Sequence, residues 1–199
     1  MRKITLADIR NIAEYEKIRD EFRRAIIELK KRRRVQVGDI VTFVFENRET
    51  VLFQIQEMMR AERLVHEEEI QREIDIYNEL IPGDNELSAT MLIEIDDLDV
   101  LRQWLPKLVG IEEQIWLRIG DQPAIRALYE PGRSKEDKTS TVHYVRFRLS
   151  PEEIRAFRDE SLPAVLAITH ENYRAEATIP IAVRRSLMED LAFPEASGS

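Results

Sequence analysis

The chain has 199 residues, no cysteine, 34% charged residues and a formal net charge of −8. This is long enough for one substantial core without crosslinks. The missing thiols exclude disulfides, cysteine nucleophiles, Cys-ligated zinc and Cys-ligated iron–sulfur clusters. No apolar run is long enough to span a bilayer, and the start, "MRKITLADIRNIAEYEK", lacks the apolar segment of a secretory signal, so a cytoplasmic location is expected.

Charge is unevenly spread. Residues 1–34 carry a net +6 and the remainder a net −14. The periodicity of Ile18, Phe22, Ala25, Ile26 and Leu29 predicts a helix from about Tyr15 to Arg33. It runs into "KKRRR": Lys30, Lys31, Arg32, Arg33 and Arg34. Such a run suits an anion or an acidic partner, or simply complements the negative end of the helix dipole.

"VQVGDIVTFVFEN" then has strand chemistry with a turn at Gly38-Asp39. From Arg48 to Ile81 there is no Gly or Pro, so long central helices are expected, stopped by Pro82-Gly83. "SATMLIEI" predicts a strand and "DDLDVLRQWLPKL" a short helix. "QIWLRIG", "PAIRALYE" and "STVHYVRFRL" alternate as three strands, the last two parted by the polar loop Pro131–Ser140. Ser150, Pro151 and Glu153 form a capping-box start for the helix "SPEEIRAF". "AVLAITHENYRAEATIP" predicts a hairpin turning at Glu171-Asn172, and "AVRRSLMEDLAF" a closing helix. The expected fold is α+β, a mostly antiparallel sheet with a helical N-terminal portion, as one domain over residues 1–193 with a disordered tail at 194–199.

Two constellations could carry chemistry. On an unbroken helix, Glu62, His66, Glu69 and Glu73 occupy the arc of the apolar stripe Val51, Ile55 and Met58. Three carboxylates and an imidazole there would suit iron, manganese or zinc. The competing expectation is a break near Val65–Glu68. Ile70, Ile74, Tyr77 and Ile81 form a second stripe, rotated from the first, and a break aligns both with one core while leaving the glutamates in water. The break is the expected outcome, and no cofactor is predicted outright.

In "TVHYVRFRL", alternation sends His143, Val145, Phe147 and Leu149 to a core face and Tyr144, Arg146 and Arg148 to the other. Two arginines beside an aromatic ring suit an anion, a stacked base or a docking partner, with Arg118 and Arg126 placed to join them; an ordinary solvated sheet face is the plain alternative. His143 is expected to be a packed edge histidine, and His170 carries no role.

The segments "VGDIVTFVFENRETVLFQIQEMMRAERL" and "TVHYVRFRL" resemble a bacterial family classed only as a domain of unknown function, over nearly the whole chain. That resemblance implies no established activity and no catalytic residues. It does imply a setting, because such proteins are encoded beside rubrerythrin-like proteins and iron–sulfur oxidoreductases resembling heterodisulfide reductase subunits. The resulting expectation is an accessory or interaction protein of a redox or oxidative-stress system, with homo-oligomers open. A carboxylate/His metal enzyme and a single-stranded nucleic-acid binder are the alternatives, the latter opposed by the net negative charge.

Overall fold

In the computed structural model, residues 1–192 are described. Asn11 starts the first helix, α1 (Ile12–Lys31), by accepting the Glu14 N–H at 2.9 Å. Strands β1 (Arg34–Val37) and β2 (Val41–Glu46) follow as an antiparallel pair. Gly38 turns between them at φ 72°, a conformation that favours glycine. A Cβ there would lie 2.2 Å from the Tyr173 hydroxyl, which donates to the Val37 carbonyl at 2.6 Å.

The central segment is broken. Helix α2 (Arg48–Glu62) ends at Arg63, which is left-handed at φ 54°, and the Leu64 N–H returns to the Met59 carbonyl at 2.9 Å. Helix α3 (Glu67–Asn78) then starts from His66. The break lets Val51 and Ile55 of α2 share an apolar cluster with Ile70 and Ile74 of α3, as two rotated stripes require.

Strand β3 (Glu86–Ile93) leads to α4 (Leu98–Trp104), where Asp97 accepts the Asp99 and Val100 N–H groups. The remaining elements are β4 (Ile115–Ile119), β5 (Ile125–Arg126), β6 (Leu128–Tyr129), β7 (Val142–Arg148), α5 (Pro151–Arg158), β8 (Ala164–His170), β9 (Tyr173–Thr178) and α6 (Ile181–Met188). The Ser150–Glu153 capping box closes as its spacing dictates. The β8–β9 hairpin turns at Glu171-Asn172.

The strands form two antiparallel sheets, ordered β1-β2-β3-β7-β6 and β5-β4-β8-β9, so the fold is α+β. "PAIRALYE" does not make one strand. It divides at Ala127, and β5 pairs with β4 while β6 pairs with β7, which carries the chain from one sheet to the other. Inner-face residues such as Phe43, Phe45, Met91 and Phe147 share one cluster with Leu117, Leu166 and Ile168 of the second sheet. Phe157 of α5 and Leu187 of α6 join it. Each such burial contributes about 1.5–3 kcal/mol.

The second cluster, of Ile4, Val51, Ile55, Met59, Ile70, Ile74 and Ile81, packs against Tyr144. Tyr144 alternates with core-facing His143 and Val145 on β7, so the helices α2 and α3 lie over the outer face of the five-stranded sheet. Among the described residues no helix is long and apolar enough to cross a membrane. The tail 194–199, expected to be disordered, lies outside the described residues.

Candidate functional site

The outer face of β7 forms the floor of an open cleft of about 720 Å³. Pairing of Ser88 and Leu128 with Arg146 sets that arginine between β3 and β6. Ile76, Tyr77 and Leu80 supply one wall, and the segment from Leu128 to Arg133 supplies the other. Ile76, Leu128 and Tyr129 are large apolar side chains left exposed at this site.

Its arginines are tied down to different degrees. Arg146 donates to Glu86 at 3.2 Å and to the Glu79 carbonyl. Arg133 lies 4.4 Å above the Tyr144 ring, donating to Glu130 at 3.2 Å and the Val142 carbonyl at 3.3 Å. Arg148 is 63% exposed and reaches only to 3.9 Å from Glu86, a carboxylate that Arg146 already holds. The least neutralised cation therefore sits beside exposed apolar surface. Burial raises the Tyr77 phenol, and the neighbouring Glu113 carboxylate raises that of Tyr129, so both stay protonated donors near neutrality. Such a cleft can hold an acidic group attached to an apolar or aromatic body.

Tyr144, Arg146 and Arg148 thus share one face as alternation predicts. Arg118 and Arg126 do not join them. Both belong to the other sheet, where Arg118 pairs with Glu176 and Arg126 donates to the Glu113 carbonyl and lies 5.7 Å from the Trp116 ring centroid.

The run Lys30–Arg34 is not one basic surface. Lys30 lies over the Phe53 ring at 5.8 Å, Lys31 pairs with Glu28 at 2.6 Å, and Arg34 pairs with Glu94 at 2.8 Å. Arg33 is 1% exposed and binds Asp190, with further bonds to the carbonyls of Phe45 at 2.8 Å and Glu46 at 3.2 Å. The chain turns from helix to strand there, which sends successive side chains to opposite sides. Of the five, Arg32 is exposed and forms no ion pair among the described residues. The cleft and this run are separate, since β2 and β3 lie between β1 and β7.

Glu62, His66, Glu69 and Glu73 depended on an unbroken helix for their shared arc. Glu62 ends α2 and is exposed, His66 caps α3 and is exposed, and Glu69 and Glu73 lie half-buried on α3. Among the described residues no group of three or more His, Asp or Glu side chains is placed to hold a metal ion.

Sequence reading missed one polar cluster. His143 faces the core, as alternation predicts, but its Nε2 meets the Thr139 hydroxyl at 2.8 Å and the Ser140 carbonyl at 3.0 Å. Thr139 and Ser134 hydroxyls lie 2.7 Å apart, and Ser134 donates to Glu112 at 2.8 Å. The Glu112 carboxylate lies 3.9 Å from His143 Nδ1, which has no hydrogen-bond partner. Burial lowers the imidazole pKa, the Glu112 carboxylate pulling the other way. Glu112, Thr139 and His143 are each at most 3% exposed. This carboxylate–imidazole–hydroxyl chain is buried apart from half-buried Ser134 and fastens the loop Pro131–Ser140, whose tip at 135–138 stays exposed. Nothing local in sequence marks it, because Glu112 is more than twenty residues from its partners.

The family model described as "Protein of unknown function (DUF3501)" matches residues 3–191. The chain belongs to this family. Its fold is also that of a solved structure, the crystal structure of a novel protein of unknown function from Burkholderia pseudomallei K96243. The two share 32% sequence identity and a TM-score of 0.89, over 96% of this chain and all of the other. No match was found among curated proteins. This DUF3501 chain therefore shares its fold with a protein described as being of unknown function.

Proposed function

We propose that this DUF3501 protein is a non-catalytic interaction protein whose outer sheet cleft docks an acidic, partly apolar segment of a partner. The observation that carries the reading is Arg148, incompletely neutralised beside exposed Leu128, Tyr129 and Ile76. Exposed aromatic and apolar residues next to arginine are the composition that binding surfaces favour. The partners to try first follow from the family resemblance: rubrerythrin-like proteins and iron–sulfur oxidoreductase subunits of a redox assembly.

The test is direct binding of those proteins to the full chain at low and physiological salt. Arg148→Glu and Leu128→Asp, both at exposed positions, should each weaken binding by about tenfold or more. No association at low salt, or association indifferent to both substitutions, overturns the proposal. The stacking of Arg133 on Tyr144 favours single-stranded nucleic acid as a second reading. It requires an affinity that falls steeply with salt, against the chain's net charge of −8.

A further inference from the structure

Helix α1 has 20 residues, yet only Tyr15 and Ile26 are buried. A helix of about 30 Å normally takes its stability from packing an apolar face, and most of this one stays open. Phe22 stacks edge-on against Phe53 of α2 at 5.6 Å, which secures only one side. Along the flank, Ile18, Phe22 and Ala25 of α1 and Leu52 of α2 line a shallow groove of about 460 Å³.

The order of residues on that flank is self-complementary. Glu14, Ile18, Phe22, Ala25, Leu29 and Arg32 follow one another at spacings of 4, 4, 3, 4 and 3, a single helical stripe. Reversed, the stripe matches itself to within one residue, the offset falling on the outermost pair. About a centre between Phe22 and Ala25, an antiparallel copy sets Glu14 against Arg32, Ile18 against Leu29 and the large Phe22 against the small Ala25. Glu14 and Arg32 are exposed, and neither forms an ion pair among the described residues. Ala25 is exposed and has room for a ring from a facing helix.

We propose that the occupant of this groove is a second copy of the chain. The two α1 helices pair antiparallel about a two-fold axis and α2 flanks each, making a four-helix interface. A two-fold interface is isologous, so each contact occurs twice, and the stripe satisfies that condition. The Glu14–Arg32 pairs fix register and direction, while Ile18, Phe22 and Leu29 supply the apolar burial. This face is distinct from the β7 cleft, so dimer formation leaves that cleft open.

Sedimentation equilibrium of the full chain at about 50 µM tests this. Twice the chain mass of 23.4 kDa is expected. Ala25→Glu, at an exposed position, should yield monomer with an unchanged circular dichroism spectrum and a cooperative thermal transition, its Tm lowered only by the lost association. Glu14→Arg and Arg32→Glu should each weaken the dimer by about tenfold or more, and combining them should restore it to within about threefold of the original. A monomeric wild type at this concentration, a dimer indifferent to Ala25→Glu, or a double swap that fails to restore association would each overturn the proposal.

Discussion

A guanidinium taken out of water must find acceptors for its donors, and Arg33 finds a carboxylate, a serine hydroxyl and the carbonyls of Phe45, Glu46 and Ser186. Burial raises the Asp190 pKa even though Arg33 opposes that rise. Removing one partner strands the other. Arg33→Met should therefore cost about 3–5 kcal/mol in urea unfolding, whereas Arg33→Met with Asp190→Leu should recover most of it. An equal loss in single and double variants would show that packing rather than charge carries the site. His143 gives a pH signature. Its folded pKa lies below the ordinary value of 6.5, so the folded state disfavours the protonated imidazole. The stability this contributes is full above pH 6.5 and is lost as pH falls from there to the depressed pKa, by up to about 1.4 kcal/mol per pH unit. His143→Gln should flatten the Tm profile below pH 6.5. Asp190 acts with the opposite sign in the carboxylate range, since its folded pKa is raised, and the single-site variant separates the two.

At the scale of elements, the break between α2 and α3 is made by the backbone. Arg63 occupies the left-handed region at φ 54°, where a Cβ costs about 1 kcal/mol. Glycine there would relieve the strain and loosen the unfolded chain, two effects of opposite sign. Arg63→Gly is expected to leave stability unchanged or raise it by up to about 1 kcal/mol, while Arg63→Val should lower it, both read from thermal unfolding. A marked loss in the glycine variant would mean that the Arg63 side chain matters more than its φ. The start of α1 is also local, because Asn11 caps it four residues before Tyr15, where periodicity alone would start the helix. Arg184 closes α5 by a different route. Its guanidinium donates to the carbonyls of Ala156 at 3.0 Å, Phe157 at 2.7 Å and Asp159 at 2.9 Å, satisfying a helix end from a residue of α6.

Across the whole molecule, two apolar clusters lie on opposite faces of the five-stranded sheet. The larger joins both sheets to α5 and α6, and the smaller holds α2 and α3 to the outer face. The smaller should open first. Amide exchange at Ile70 and Ile74 is expected to be faster than at Phe45 and Phe147, by local openings that leave the sheets intact. Equal protection would mean that the two clusters unfold as one. The proposed docking cleft borders the less protected cluster through Tyr77 and Leu80, so partner binding should slow exchange in α3.

What local sequence determined is what period, caps and turns encode within a few residues. Alternation placed Val145 and Phe147 inward and Tyr144, Arg146 and Arg148 outward. The Ser150–Glu153 box began α5, and the turn at Glu171-Asn172 joined β8 to β9. Two mismatched stripes called for a break near Val65–Glu68, and the chain leaves the helix slightly earlier, after Glu62, and resumes it at Glu67. Tertiary structure alone decided the rest. It divided "PAIRALYE" between two sheets, drew Arg33 out of the basic run to meet Asp190 across the chain, moved Arg118 and Arg126 away from Arg146, and closed Glu112 onto His143. Those outcomes depend on which distant group satisfies a buried charge or an unpaired strand edge, and the desolvation cost that selects the partner exists only once the chain has folded around it.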